Sequence, residues 1–165
     1  MAEVDKGKIS GDVELLDSFG RRSGFTSTDT WRVFRIMGEF VEGFESLSTT
    51  GPAIAVFGGA RIKPDDPIYK SGRELGRRLA EEGLSVITGG GPGLMEAVNR
   101  GCRERNGFSI GCNIELPHEQ APNQYLDLCL SFHYFFVRKM MFLKYSLGFV
   151  VFPGASARWT RRSRP

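Results

Sequence analysis

Gly89, Gly90, Gly91 and Gly93 place four glycines in five residues, with Pro92 among them. They follow a short apolar run holding the β-branched pair Val86 and Ile87, which reads as a buried strand. Leu94, Met95, Ala97, Val98 and Cys102 then recur at helical spacing, so a helix is predicted to start between Pro92 and Leu94. Strand, glycine turn and helix N-terminus together put unhindered backbone N–H groups and the positive end of a helix dipole over one small volume. Such a volume suits an anion, and phosphate best of all. A tight turn without a ligand is the plainer alternative, but it needs fewer glycines.

Two named phosphate motifs fail here. No Gly-Lys-Ser/Thr opens the helix, as a P-loop requires, and Leu94 stands where the dinucleotide pattern beginning at Gly89 and Gly91 wants its third glycine. Glu115, after the next strand, is placed to imitate the acid that holds a ribose. The loop therefore points to a nucleotide or sugar phosphate, not to NAD in particular. Arg138 and Lys139 interrupt an otherwise apolar helical run. Such a pair is ordinarily solvated or snorkels over a core, yet beside a phosphate loop a guanidinium and an ammonium have a direct use. Pro117-His118-Glu119-Gln120 reads as a surface loop. His118 and His133 have no Cys or His at ligand spacing, and no metal is assigned. Cys102, Cys112 and Cys129 are odd in number and lack C-x-x-C spacing, so they read as reduced thiols rather than a disulfide frame or zinc site.

The elements that must position these residues follow from patterning. The chain has 165 residues, 41% apolar and 25% charged, enough for one globular domain with a core. Its N-terminus lacks an apolar signal region and no run reaches membrane-spanning length, so a cytoplasmic protein without a membrane partner is expected. The pI of 8.9 comes from the end of the chain. Residues 155–165 carry four arginines and no acid; setting those four aside leaves 18 bases against 19 acids, a net charge of −1. The body is thus not expected to bind nucleic acid.

Residues 1–28 read as a flexible arm. Over 29–47, Trp31, Phe34, Met37, Phe40, Val41 and Phe44 predict a helix with one apolar stripe, packed on the domain or on a partner subunit. Arg32, Arg35, Glu39 and Glu42 fall on its other side. Strands are predicted at Ala53–Phe57, at Val86–Ile87, at Phe108–Ile114, at Leu126–Ser131 and at Gly148–Phe152, with helices over Tyr69–Glu82, after Pro92 and over His133–Tyr145. This alternation predicts an α/β fold with a parallel sheet, with ligands beyond the strands' carboxyl ends. Gly58–Gly59, Gly89–Gly93 and Pro153–Gly154 all fall there.

Taken together, G-G-G-P-G-L-M-E-A, I-E-L-P-H-E-Q, F-F-V-R-K-M-M-F and F-V-V-F-P-G resemble, in this order, the Lonely Guy (LOG) family of nucleotide phosphoribohydrolases, many of which bear the label lysine decarboxylase. The resemblance runs from Trp31 to Gly154 and is strongest to the longer bacterial branch, which has an extra N-terminal helix. It implies a Rossmann-like three-layer fold over 53–154 and a homodimer when full length. The implied reaction needs no cofactor and splits the N-glycosidic bond of nucleoside 5′-monophosphates, cytokinin riboside 5′-monophosphates or AMP, into free base and ribose 5-phosphate. By position, Gly89 to Gly93 with Met95 resemble the family's first glycine motif. Arg138 and Lys139 resemble its catalytic and substrate-binding basic pair, Glu119 a substrate-contacting carboxylate, and Pro153 and Gly154 the opening of its second motif. The types suit the chemistry: a carboxylate can stabilise an oxocarbenium-like ribose while cationic groups fix the phosphate. Decarboxylation with pyridoxal phosphate would need a Schiff-base lysine and an acid for the ring nitrogen, which nothing in the chain singles out.

The resemblance breaks after Gly154. The family's P-G-G-x-G-T-x-x-E continues here as Ala-Ser-Ala-Arg-Trp-Thr, without the second glycine, the Gly-Thr pair or the catalytic glutamate. The expectation is a frame error, with 155–165 an aberrant basic tail, the C-terminal part of the sheet missing and activity impaired. A non-catalytic nucleotide-binding protein of Rossmann-like fold is the alternative, and an NAD-dependent oxidoreductase resting on Glu115 ranks last. Resequencing checks the frame. A GC-rich coding of Gly-Gly-Phe-Gly-Thr-Leu-Asp-Glu, GGC GGC TTC GGC ACG CTG GAC GAG, reads Gly-Ala-Ser-Ala-Arg-Trp-Thr after loss of one G from its second codon, and then Arg before a purine. That is the sequence from Gly154 to Arg161. The downstream DNA, shifted by one base, is expected to continue as Gly-Phe-Gly-Thr-Leu-Asp-Glu, and any other continuation removes the frame error.

Overall fold

The computed structural model describes residues 29–115 and 121–153; the expected arm, the Pro117-His118-Glu119-Gln120 stretch and the basic tail lie outside the described residues. Among the described residues nine elements follow one another: α1 (Asp29–Leu47), β1 (Ala53–Phe57), α2 (Pro67–Glu81), β2 (Ser85–Thr88), α3 (Leu94–Glu104), β3 (Ser109–Ile114), β4 (Leu128–Phe132), α4 (Phe135–Tyr145) and β5 (Gly148–Val151). The strands form one parallel sheet in the order β4-β3-β2-β1-β5. This is the α/β, Rossmann-like arrangement expected from the alternation. Register places Ile54 between Val86 and Gly148, and Cys112 beside Leu130.

Period-two alternation sends neighbouring strand residues to opposite helical layers. Val56 and Val86 pack with Leu94, Val98 and Cys102 beneath α2 and α3. Ala55 and Ile87, one residue away, pack with Ile110, Cys112, Val137 and Met141 beneath α4, and Leu47 at the end of α1 joins them. Asp127 squares the start of β4: its carboxylate accepts from Ser109 N at 2.9 Å, and its own N–H donates to Ser109 O at 2.8 Å. Among the described residues no helix is long and apolar enough to cross a membrane.

The N-terminal helix departs from its expected orientation. Ile36, Phe40, Gly43 and Leu47 form the docked face, and a Cβ at Gly43 would press on Met141 Sδ at 2.8 Å. Of the apolar stripe read from sequence, Phe40 packs on the core, whereas Phe34, Met37, Val41 and Phe44 are exposed, as is Val33. Glu39, expected on the polar side, turns inward instead. Its carboxylate accepts from His133 N at 3.0 Å and Tyr134 N at 3.3 Å. Those are the amides at the start of α4, whose N-cap residue Tyr134 supplies no side-chain cap of its own. Burial pushes the Glu39 carboxyl above its ordinary range, against the opposing pull of those two amides. The carboxylate cap also explains why α4 begins at Phe135 rather than at His133.

Helices α2 and α3 cross at very short range. A Cβ at Gly76 would run into the Val98 carbonyl oxygen and Cys102 N, and one at Gly101 into the Arg73 carbonyl oxygen. Further along, Glu104 ties the pair together by accepting from Arg77 Nε at 2.7 Å and pairing with Arg73 and Arg100. Arg73 foremost, then Arg77, hold its carboxyl down at about 2. The crossing predicts opposite signs for two glycine substitutions in helices. Gly76→Ala gains about 1 kcal/mol of helix propensity but meets rigid backbone, an overpacking cost of about 1–3 kcal/mol. Gly38→Ala in α1 meets nothing within 4 Å and keeps its gain. Urea denaturation is expected to show Gly76→Ala less stable than the parent and Gly38→Ala more stable; a stabilised Gly76→Ala would refute the tight crossing.

Candidate functional site

The carboxyl ends of β1, β2 and β3 meet around the glycine turn. Gly93, at φ +72°, lies so close to the turn after β1 that a Cβ there would sit 2.6 Å from the Ala60 and Gly59 carbonyl oxygens. Gly90, at φ +73°, faces Gly111 of β3, with 3.3 Å between the same hypothetical Cβ and Gly111 Cα. Leu94 N donates to Gly59 O at 3.1 Å, joining the two glycine-containing ends directly. The leucine that breaks the dinucleotide pattern is fully buried, and room for it is made elsewhere: a Cβ at Gly58 or Gly72 would overlap its side chain. Phe152 N donates to Phe57 O at 2.9 Å, which brings the turn residue Pro153 to the carboxyl end of β1.

The loop amides divide into used and unused. Gly90 N donates to Thr88 Oγ1 at 3.0 Å, Leu94 N to Gly59 O, and Ala97 N to Gly93 O at 3.0 Å. Those of Gly91, Gly93, Met95 and Glu96 donate to no other described residue. Gly93, the N-cap residue of α3, has no side chain to cap them. The unused donors therefore gather at the positive end of the α3 dipole, the arrangement an anion satisfies.

Arg138 reaches this turn from the opposite layer. Its Nε donates to Cys112 O at 2.7 Å, and its Cζ lies 5.5 Å from the Phe142 ring centroid. A Cβ on Gly89 would sit 2.7 Å from both Arg138 Nη2 and Met95 Sδ, so the guanidinium and the thioether close over that glycine. Burial pulls the Arg138 pKa below its ordinary value, but a guanidinium keeps its charge in proteins. Among the described residues no carboxylate pairs with it. Two acids on the elements that carry the site are engaged elsewhere: Glu96 accepts from Tyr69 OH at 3.2 Å, and Glu115 pairs with His133 Nδ1 at 2.9 Å. A desolvated cation and amides that no described anion balances make this end of the sheet electropositive among the described residues.

Of the residues singled out from sequence, the structure thus brings together Gly89, Gly90, Gly91, Gly93, Met95 and Arg138. Lys139, one position on, is exposed. Glu119 and Gly154 lie outside the described residues. Burial pushes the thiols of Cys102 and Cys112 up to about 11 and about 12, which makes them inert. Among the described residues no group of three or more His, Cys, Asp or Glu side chains could hold a metal. Sequence reading missed the polar residues behind the loop. Thr88 Oγ1 donates to Asn99 Oδ1 at 2.7 Å, Asn99 Nδ2 to Ser109 Oγ at 2.8 Å, and Asn123 Nδ2 to Gly91 O at 3.0 Å. Asn99 carried a signal, because an amide between Val98 and Gly101 on the buried face of α3 must find partners. Asn123 carried none.

A model of the SLOG cluster4 family matches residues 52–156. Among solved structures, TM1055 is similar with a TM-score of 0.54 and 30% identity, over 62% of this chain and 61% of that one. The molybdenum cofactor binding protein from Rippkaea orientalis (TM-score 0.50, 22% identity, 61% and 60% covered) and the molybdenum cofactor carrier protein from Chlamydomonas reinhardtii (0.51, 23%, 61% of each) share the fold. The chain thus spans about three fifths of the length of these structures. No curated protein matches it.

The contact over Gly89 yields a test. In Gly89→Ala the new methyl has to displace the tips of two flexible side chains, Arg138 and Met95. Stability is expected to change by less than about 1 kcal/mol, because those tips can move. Affinity for inorganic phosphate, read by calorimetry, is expected to fall about tenfold, the scale of one charge-assisted contact. Unchanged phosphate affinity would separate Arg138 from the loop.

Proposed function

Because the chain belongs to the SLOG cluster4 family, we propose that it binds a nucleoside 5′-monophosphate at the glycine turn, and that the full-length protein hydrolyses its N-glycosidic bond to free base and ribose 5-phosphate. The observation that carries this reading is the buried guanidinium of Arg138, which no described carboxylate pairs, on the same turn as the amides of Gly91, Gly93 and Met95, which donate to no described residue. A phosphate dianion offers the charge and the acceptors that these groups lack. In this reading Gly89, Gly90, Gly91, Gly93 and Met95 hold the phosphate, and Arg138 with Lys139 binds and orients the nucleotide. Glu119, Pro153 and Gly154 bind substrate, as the family resemblance implies. The phosphate anchors the ribose while the C1′–N bond breaks; water's oxygen joins C1′ and its proton goes to the departing base.

Retention of a nucleotide without turnover is a second reading, favoured by one observation. Glu96, in the first turn of α3, and Glu115, just after β3, are engaged by Tyr69 and His133. Neither is free to stabilise an oxocarbenium ion.

A second copy of the chain is the proposed partner. Val33, Phe34, Met37, Val41 and Phe44 of α1 are exposed, as are Phe136, Met140 and Leu143 of α4 and Leu147, Phe149 and Val151 at β5. The α1 and α4 sets adjoin where the Phe40 and Phe136 rings lie 6.3 Å apart. Apolar surface of this extent is characteristic of an interface, and a cytoplasmic homodimer accounts for it.

Base release from AMP and from isopentenyladenosine 5′-monophosphate tests the function. The 165-residue chain is expected to bind AMP without turnover. A version continuing from Gly154 as Gly-Phe-Gly-Thr-Leu-Asp-Glu and onward in the restored frame is expected to release base. Arg138→Ala in that version should lose at least about 2 kcal/mol of transition-state stabilisation, roughly 30-fold in kcat/KM. Absence of base release from both substrates with the restored protein would overturn hydrolysis, and unchanged turnover in the variant would remove Arg138 from the site.

A further inference from the structure

The geometry points to Asn123 as the positioning residue that turns the glycine loop's amide toward a phosphate; this role rests on the phosphate reading above. Asn123 belongs to the connection between β3 and β4, far from the loop in sequence. It nevertheless binds two successive loop carbonyls. Its backbone N–H donates to Gly90 O at 2.8 Å, and its Nδ2 donates to Gly90 O at 3.1 Å and Gly91 O at 3.0 Å. The side-chain oxygen accepts from Tyr125 N at 3.0 Å, which fixes the amide so that its nitrogen faces the loop.

Peptide planarity carries the consequence forward. In a trans peptide the carbonyl of one residue and the N–H of the next point in opposite directions. Holding Gly90 O against Asn123 therefore aims the Gly91 N–H the other way, and that amide donates to no described residue. Holding Gly91 O misdirects no donor, because the next residue is Pro92 and lacks an N–H. Gly90 N is meanwhile drawn back onto Thr88 Oγ1. The 89–90, 90–91 and 91–92 peptides are thereby each assigned one orientation.

The loop could not fix these orientations by itself. Glycine has no side chain to bias its dihedrals, and Gly90 already sits at φ +73°. Without Asn123 the 90–91 peptide could rotate at little cost and swing its N–H out of the site. The anchor behind Asn123 is rigid. Asn99 Oδ1 accepts from Asn123 Nδ2 at 3.1 Å and from Thr88 Oγ1 at 2.7 Å, and Asn99 Nδ2 donates to Ser109 Oγ. Thr88, Asn99 and Ser109 are all fully buried. Asn123 Nδ2 shares its two hydrogens among three acceptors, Gly90 O, Gly91 O and Asn99 Oδ1, and the buried Thr88–Asn99–Ser109 chain holds the third of them in place.

Calorimetry with AMP, adenosine and inorganic phosphate tests the assignment on the 165-residue chain. Asn123→Ala is expected to weaken AMP and phosphate about tenfold each while leaving adenosine unchanged, because the lost orientation serves the phosphate alone. Asn123→Asp keeps the shape but faces two carbonyls with an acceptor, and is expected to be at least as damaging. Equal losses for AMP and adenosine would make Asn123 a merely structural residue, and full retention of the AMP preference would overturn the role while sparing the phosphate reading. If the unmutated chain does not prefer AMP to adenosine, the phosphate reading falls and this role with it. Amide hydrogen exchange on the unmutated chain gives a readout independent of the variants' folding. AMP should protect the Gly91 amide, and no added protection there would equally overturn the assignment.

Discussion

Crowding at the carboxyl end of β2 is the constraint on which the rest of the structure depends. The chain leaving Thr88 must pass the turn after β1 on one side and Gly111 of β3 on the other, beneath Arg138 and Met95. A side chain at Gly93 would collide with the Gly59 and Ala60 carbonyls, one at Gly90 would crowd Gly111, and one at Gly89 would have to displace Arg138 and Met95. The same absence of side chains brings the backbone of α3 close enough to β1 for Leu94 N to reach Gly59 O. An amide-lined turn is therefore a direct outcome of packing: removing the side chains that would clash also uncovers the N–H groups.

The two helical layers contribute unequally to this turn. The α2–α3 layer supplies the helix dipole and the close crossing at Gly76 and Gly101, which holds α3 firmly against the sheet. The α1–α4 layer supplies the charge, since Arg138 passes over the ends of β3 and β2 and is fixed by the Cys112 carbonyl. Placement of Arg138 depends in turn on where α4 starts, and Glu39 of α1 sets that start through the His133 and Tyr134 amides. A carboxylate on the outermost helix is thus linked to the guanidinium in the site through one helix N-terminus. The cost of burying Glu39, visible in its raised pKa, is offset by the otherwise orphaned donors it satisfies.

The apolar surface sits on the same layer. The docked side of α1 is narrow, Ile36, Phe40, Gly43 and Leu47, while Phe34, Met37 and Val41 point away from the sheet. Along β5 the exposed positions alternate, with Phe149 and Val151 more open than their neighbours. A helix with two apolar faces has one to give to its own domain and one to give to another surface.

The order of elements, the parallel sheet and the phosphate-suited turn were legible from the sequence. Each rests on properties of contiguous residues: β-branched runs, helical spacing after Pro92, and glycines at consecutive positions. The Arg138–Lys139 pair was legible as an interruption of an apolar helix, but which of the two meets the turn was not. That depends on the rotation of α4 about its axis, which is set by packing on Val137 and Met141 and by the cap from Glu39. Which apolar residues of α1 dock on its own domain was not legible for a similar reason, because its hydrophobic residues cover more than one face and the docked face meets Met141 at Gly43. Asn123 could not be found at all, since its partners lie far away in sequence and an asparagine in a loop looks the same with or without them. The sequence by itself determined which backbone lies bare at a helix N-terminus, because glycine acts locally. Only the tertiary structure decided which cation and which amide lie against that backbone, because parallel strands bring the ends of distant segments to one rim and leave the choice among their side chains to packing.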